Sequence, residues 1–351
     1  MQSEVSPIST PFLYPHPMLR VCITDCLPAP ATLEERELAG LASVECLLAA
    51  SHQELNGRIE DADALIVFHE ISLPADTIRR LRHCRVIVRG GVGFDNIDLA
   101  AATAAGIPVC NVPDYGVDEV ADHALGLALA LNRGFTRVER SLRRSLTPWD
   151  KRAVEPVERL AGQTFGILGL GRIGAAAAMR AKAFRMRVIA CDPDLRPGLE
   201  KSFGVPLVDF DTLLRESDIL SLHTPLTEQT RHIIDAAALA RMKPTAILVN
   251  TSRGAVVDVD ALADALESNR LFGAGIDVLP VEPATTASRL VRLWQEDRAV
   301  PVNLIITPHT AFYSESGLEE IRVKSAQEVA RALRGHPLRN LVNGTGKRLG
   351  I

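Results

Sequence analysis

Short apolar runs alternate along the chain with stretches whose apolar residues recur every three or four positions. Runs at 19–24, 44–48, 64–68 and 86–89 are separated by helix-like stretches at 33–41, 53–59 and 75–81. The runs are apolar at successive positions rather than alternate ones, the pattern of strands covered on both faces of a parallel sheet. A short helix at 98–105 and a brief strand at 108–110 complete this first series. Residues 117–144 read as one longer helical region, with Asp118, Glu119 and Asp122 near its start, where carboxylates suit the helix dipole. A second series follows, with strands at 164–168, 187–191, 219–223, 246–250, 273–278 and 304–307. An apolar segment at 207–210 and helices at 175–184, 211–215, 236–240 and 260–268 lie between them. Residues 317–333 carry a long amphipathic helical pattern, ended by Gly335 and Pro337.

Two such series predict an α/β chain with two doubly wound parallel sheets. The last helix comes after the second sheet has closed, so it is expected to return to the first. The second domain, 111–310, is then an insertion in a domain assembled from 18–110 plus 311–343, with the reactive cleft between them. Residues 1–17 and 344–351 read as flexible tails.

The most informative stretch is 163–192. Its first strand breaks into Gly169-Leu170-Gly171-Arg172-Ile173-Gly174, a helix of small residues follows, and the next strand ends on Asp192. The spacing suits a dinucleotide. Gly169 permits a tight turn, Gly171 lets backbone N–H groups approach a pyrophosphate, and Gly174 lets helix and strand pack closely. The pyrophosphate would sit on the helix N-terminus. Asp192, eighteen residues beyond Gly174, is placed to accept from a ribose 2′-hydroxyl. A 2′-phosphate would meet its charge head-on, so NAD is expected over NADP. A glycine triplet alone is also what an ordinary turn contains; strand, turn, helix, strand and terminal acid in order make the difference.

Composition narrows the class. The 351 residues are 47% hydrophobic, enough for more than one core, and 39 basic against 43 acidic side chains leave a net charge of −4. That balance gives no footprint for nucleic acid. Residues 1–17 lack a cationic start and a continuous apolar core, and no window approaches a membrane span. The six cysteines, Cys22, Cys26, Cys46, Cys84, Cys110 and Cys191, show no ligand-like pairing. Reduced thiols in a cytoplasmic protein are expected, and no metal site.

Polar residues of three kinds arrive at the carboxyl ends of predicted strands, where such folds place ligands. Arg253 follows 246–250; Asp277 ends its strand, with Glu282 five residues later; His309 follows 304–307. This set suits interconversion of a 2-keto acid and a 2-hydroxy acid. Hydride arriving on a ketone carbon leaves negative charge on its oxygen, and a positioned acid must protonate it. An imidazole titrates near neutrality and fits that role, so His309 is the candidate donor. Glu282, on the other ring nitrogen, would fix the tautomer and favour the charged ring. Arg253 would grip the carboxylate or carbonyl and stabilise developing charge. Each has a plainer alternative: a surface ion pair for Arg253, a loop carboxylate for Glu282, a structural imidazole for His309. His223, before Thr224-Pro225, reads as lining the cofactor rather than moving protons; His69, His83, His123, His232 and His336 have no comparable setting. A second glycine loop, Arg89-Gly90-Gly91-Val92-Gly93, offers backbone N–H groups to a carboxylate, with Arg89 adding charge. A tight turn that needs positive φ is the plainer reading.

With these residues in hand, the chain resembles the D-isomer-specific 2-hydroxyacid dehydrogenase family from about Arg20 to Asn343. The matching blocks are 86–98, 111–122, 166–174, 222–230, 249–258, 275–282 and 307–311. The resemblance implies a Rossmann-type NAD domain inserted in a flavodoxin-like substrate domain. It gives Arg253, Glu282 and His309 the catalytic roles above, Asp192 the adenosine ribose, and Asp277 the nicotinamide amide. Gly169, Gly171, Arg172, Ile173, Gly174, His223, Thr224, Pro225, Thr230, Thr251 and Ser252 would line the dinucleotide. It further implies a homodimer joined through the NAD domains, with 117–152 at the interface.

Within the family the nearest likeness is to the C-terminal-binding-protein branch, NAD-dependent corepressors with a dehydrogenase fold. Val86-Ile87-Val88-Arg89, Gly93-Phe94-Asp95-Asn96-Ile97-Asp98, Lys182-Ala183-Phe184 and Phe312-Tyr313-Ser314-Glu315 carry it. Arg89, Gly91, Val92 and Phe312 would then face the substrate. Phe312 stands where the branch has tryptophan and Val92 where it has serine, so the branch's substrate preference does not transfer. Residues 285–302, longer than in many members, read as a helical lid or a surface excursion. Two functions stay open: a dehydrogenase of small or medium 2-keto acids, phosphoglycerate dehydrogenase included, or an NAD-responsive protein-binding module of corepressor type with weak turnover.

Overall fold

The computed structural model describes residues 18–296 and 302–344; the expected tails, apart from Gly344, and part of 285–302 lie outside them. The chain divides into two compact units. One runs to Tyr115 and resumes at Glu319; the other is Gly116–Leu318. These limits fall a few residues beyond 110/111 and 310/311. One reason is local: Asp277 accepts from the backbone N–H groups of Thr310 and Ala311, and Ser314 Oγ donates to Glu119 at 2.7 Å, so residues 311–318 are tied to the second unit.

The first unit holds strands β1 (Leu19–Ile23), β2 (Ala42–Cys46), β3 (Ala64–Val67), β4 (Val86–Arg89) and β5 (Val109–Asn111) in the order β2-β1-β3-β4-β5. All pairs are parallel, with Ile23 opposite Ile66 and Val67 opposite Arg89. β3 and β4 are buried at every position, including Arg89 at the end of β4. The helix expected at 53–59 is a single 3-10 turn, His52–Leu55, followed by irregular backbone that turns Ile59 fully into the core. The helix expected at 75–81 stops at Ile78.

The chain returns to this unit through the last helix, Glu315–Leu333. Arg322 on that helix grips Glu34 with two hydrogen bonds, Nε to Oε1 at 2.8 Å and Nη2 to Oε2 at 2.7 Å. Farther on, Asn343 accepts from Val109 N and donates to Ile107 O, extending the contact to β5.

In the second unit β6 (Thr164–Leu168), β7 (Arg187–Cys191), β8 (Ile219–Leu222), β9 (Ile247–Asn250), β10 (Gly273–Ile276) and β11 (Leu304–Ile306) are ordered β11-β10-β9-β8-β6-β7, all parallel. The apolar segment at 207–210 contributes one parallel bridge, Leu207 to Ala190, beyond β7. Strand order thus reverses between β6 and β8, leaving a crevice at their carboxyl ends. The helical region 117–144 is two helices, Val117–Asn132 and Phe135–Arg144, because Gly134 between them is left-handed with φ 66°. The first buries Ala121, Ala124, Leu127, Ala128 and Leu131 in one core with Phe165, Ile167 and Val249. No helix among the described residues is long and apolar enough to cross a membrane.

The Glu34 side chain is fully buried, so removing it leaves the Arg322 guanidinium without its bidentate partner. Glu34→Ala is expected to lower unfolding free energy by about 3–5 kcal/mol, read from urea denaturation. A loss no larger than that of a surface substitution would show the pair to be dispensable.

Candidate active site

The glycine turn between β6 and the helix Arg172–Ala183 is built as its residues require. Gly169 takes φ 92°, and a side chain there would meet the His223 backbone at 2.8 Å. A methyl on Gly174 would lie 2.2 Å from the Gly169 carbonyl oxygen, so only glycine lets the helix close on the strand. The space beside Gly171 is open, and no side chain caps that helix, which leaves its first N–H groups available to an anion.

Asp192 follows β7 with its carboxylate already oriented. Oδ2 accepts from Leu170 N at 2.8 Å and Oδ1 from Asp194 N at 3.0 Å, which holds the acid against the glycine turn. Thr251, after β9, carries a buried hydroxyl with no hydrogen-bond partner. A cradle that only glycine fits, an uncapped helix, an anchored acid and an unsatisfied hydroxyl all match a dinucleotide. These residues, with Ser252 and the loop 224–230, would hold it. In that loop Thr230 Oγ1 donates to Pro225 O at 2.7 Å.

His223 sits at the end of β8 with Nε2 2.9 Å from Ser221 Oγ. Burial pushes its pKa down to about 4, so the ring is neutral near pH 7 and is not a proton donor there.

At the other strand ends the structure brings His309 and Glu282 together. His309 Nδ1 lies 2.7 Å from Glu282 Oε2, while Glu282 Oε1 accepts from Leu279 N at 2.8 Å. Both carboxylate oxygens are thereby used: one orients the ring, the other fixes the acid on its own loop. His309 adopts φ 53°, an uncommon conformation for a residue with a side chain. Phe312 meets the His309 ring edge-on, with centroids 6.1 Å apart. Arg253 follows β9 with Nη1 donating to the Ser252 carbonyl at 2.8 Å, and its own carbonyl accepts from Asn250 Nδ2 at 2.9 Å.

Asp277 was expected to meet the nicotinamide amide. Its carboxylate is buried and accepts from Thr307 Oγ1 at 2.6 Å and from Thr310 N and Ala311 N at 3.0 Å each. Its carbonyl accepts from His309 N at 2.8 Å. Most of the acid's hydrogen-bonding capacity thus holds the turn that carries His309. His123, set aside from the sequence, belongs here too: its Nε2 is 3.0 Å from Thr307 Oγ1 and 3.6 Å from Asp277. The only signal was an imidazole within an otherwise apolar helix face, which by itself names no partner.

The Arg89 loop belongs to the first unit. Arg89 is buried and its Nη1 donates to Gly90 O at 3.0 Å. The expected nest is narrower than three glycines suggest, because Gly90 N donates to Val67 O and Gly91 N to Arg89 O. Backbone donors for a ligand therefore begin no earlier than Val92, whose carbonyl is held by Asn111 Nδ2 at 2.7 Å.

Residues 125–311 match the family described as D-isomer specific 2-hydroxyacid dehydrogenase, NAD binding domain. Over 327 residues, 93% of this chain, it is 37% identical to D-3-phosphoglycerate dehydrogenase of Methanocaldococcus jannaschii. The chain belongs to this family. It spans 60% of the length of that M. jannaschii relative. Hydroxypyruvate reductase of Thermotoga maritima is 38% identical over 80% of this chain and 88% of its own length. D-lactate dehydrogenase of Aquifex aeolicus, solved with NAD and lactic acid, superimposes with a TM-score of 0.79 at 30% identity over 92% of this chain and 99% of its own. The second unit, which contains the matched residues 125–311, is accordingly the NAD-binding domain of a family member, and the first unit is its flavodoxin-like companion.

Two outcomes follow. His223 stays neutral when folded and protonates near its ordinary pKa when unfolded, so stability falls as pH drops from about 6.5 towards 4. In the absence of cofactor, His223→Asn is expected to remove about 2 kcal/mol of that loss, as measured by denaturation at stepped pH; an unchanged slope would refute the assignment. A methyl on Gly91 would fall 1.2 Å from Arg89 Nη1, forcing the guanidinium aside. Gly91→Ala should therefore lower unfolding free energy by about 1–3 kcal/mol, read from urea denaturation; a loss near zero would show that the Arg89 side chain gives way without cost.

Proposed function

We propose that the chain is an NAD-dependent oxidoreductase interconverting a small 2-keto acid and its D-2-hydroxy acid. The observation that carries this reading is the 2.7 Å contact of His309 Nδ1 with Glu282 Oε2, at the carboxyl edge of the sheet whose crevice holds the glycine turn. Bound nicotinamide supplies or accepts the hydride. His309 delivers the proton to the substrate oxygen from Nε2, because Nδ1 is committed to Glu282. Arg253 offers its guanidinium to that oxygen or to the carboxylate beside it. Arg89 and the Val92 N–H recognise the substrate carboxylate, and Phe312 shapes the space for its side chain. Asp277 and His123 position the His309 turn. Asp192 selects NAD by receiving the 2′-hydroxyl and repelling a 2′-phosphate.

Within the family we place the chain nearest the C-terminal-binding-protein branch, on the runs at 86–89, 93–98, 182–184 and 312–315. The paired His309 and Glu282 favour turnover over a binding role alone. Phe135, Leu146 and Trp149 are large, apolar and more than 60% exposed on the segment 117–152, which supports a homodimer formed through the NAD domains. All six thiols are free, as suits a reducing compartment, and the cytoplasm is the proposed location.

His309→Gln should lower kcat for NADH oxidation by about 10²–10⁴-fold across a panel of 2-keto acids, with NADH binding retained. Glu282→Gln should cost about 10–100-fold, less than loss of the acid itself. If neither the native protein nor the variants turned over any acid while all bound NADH tightly, the corepressor-type reading would replace the enzyme. Asp192→Ser is expected to narrow the preference for NADH over NADPH by about tenfold or more, compared through kcat/KM; an unaltered ratio would remove Asp192 from cofactor selection.

A further inference from the structure

We propose that Cys26, His69 and Glu70 form a binding site for one divalent metal ion of the zinc type in the first unit. The residues lie 43 and 44 positions apart, so no sequence motif announces them. Folding brings one ligand atom of each within 4.8 Å of the others, and Cys26 Sγ is 3.9 Å from His69 Nδ1. Zinc bonds of about 2.3 Å to sulfur and 2.1 Å to nitrogen, at a tetrahedral angle, put those two atoms about 3.6 Å apart. Little movement is needed.

The place in the fold supports the reading. Cys26 follows β1, and His69 and Glu70 follow β3. β2 and β3 lie on opposite sides of β1, so strand order reverses there. Open α/β sheets bind ligands at the carboxyl ends of the strands at such a reversal. The Arg89 loop follows β4, the next strand along, and adjoins this edge, Gly90 N donating to Val67 O at 2.9 Å.

The cluster is also held in shape. Asp25 is fully buried and joins the two loops that carry the ligands. Its Oδ1 accepts from Thr24 Oγ1 at 2.7 Å and from Phe68 N at 2.8 Å; its Oδ2 accepts from Glu70 N at 2.9 Å and lies 3.5 Å from Cys26 Sγ. A carboxylate behind the ligands orients them and adds negative charge where a dication would sit. Cys26 itself takes φ 64°, a conformation uncommon for a residue with a side chain, and is kept there by the structure around it.

Ligand chemistry sets the class of ion. Sulfur, imidazole and carboxylate together suit zinc and its neighbours, whereas calcium and magnesium take oxygen alone. Cys26 is half-buried and the other two residues are exposed, leaving a fourth position to water.

Cobalt(II) titrated into the reduced, oxygen-free protein tests this directly, whatever the dehydrogenase assay shows. One equivalent should produce a sulfur-to-cobalt charge-transfer band that zinc abolishes by competition. Cys26→Ser should lose the band. His69→Gln, at an exposed position where folding is not at stake, should weaken cobalt binding about tenfold or more. Absence of a band, its persistence in Cys26→Ser, or unchanged affinity in His69→Gln would each overturn the site.

Discussion

The buried carboxylate of Asp277 is the constraint on which the proposed chemistry depends. It lies at the end of β10 and takes hydrogen bonds from one side chain and two backbone N–H groups of the segment after β11. A polar group so far from water is tolerated only when its hydrogen-bonding capacity is filled, and here filling it fixes the turn that carries His309. The imidazole is thus positioned from below by Asp277 and from the side by Glu282. Its left-handed backbone is held by bonds on both flanks rather than by its own preference.

Both sheets concentrate polar chemistry at their carboxyl edges for the same reason. Parallel strands buried on both faces are apolar along most of their length, so charged side chains that serve a ligand collect where a strand ends. Where strand order reverses, the connections leave to opposite sides and the edge stays open. In the second unit that opening, between β6 and β8, carries the glycine turn. In the first it lies between β1 and β3, and there Asp25 ties together the loops bearing Cys26 and His69. The same topology yields two sites of different chemistry because the residues delivered to each edge differ.

The first unit is discontinuous in sequence, and polar contacts as well as apolar ones hold its two pieces together. Arg322 and Glu34 meet across 288 residues, and Asn343 satisfies backbone groups on either side of Pro108. The guanidinium fork matches a carboxylate in only one orientation, so the pair also sets the angle at which the last helix docks.

Much of this was legible along the chain, for a local reason. The turn at Gly169–Gly174, the strands around it and the acid at Asp192 are specified by neighbours within about thirty residues, where backbone geometry leaves few choices. The split of 117–144 at Gly134 is equally local, resting on one left-handed glycine. Candidate residues at strand ends were visible because strands end where apolar runs stop. Their partners were not. His123 beside Asp277, the engagement of the Gly90 and Gly91 N–H groups, and Cys26 against His69 are matters of register between strands far apart in the chain. Sequence periodicity determines which face of a strand is buried and where it ends. Only the order of strands in the sheet, settled by packing of the whole core, decides which ends stand side by side.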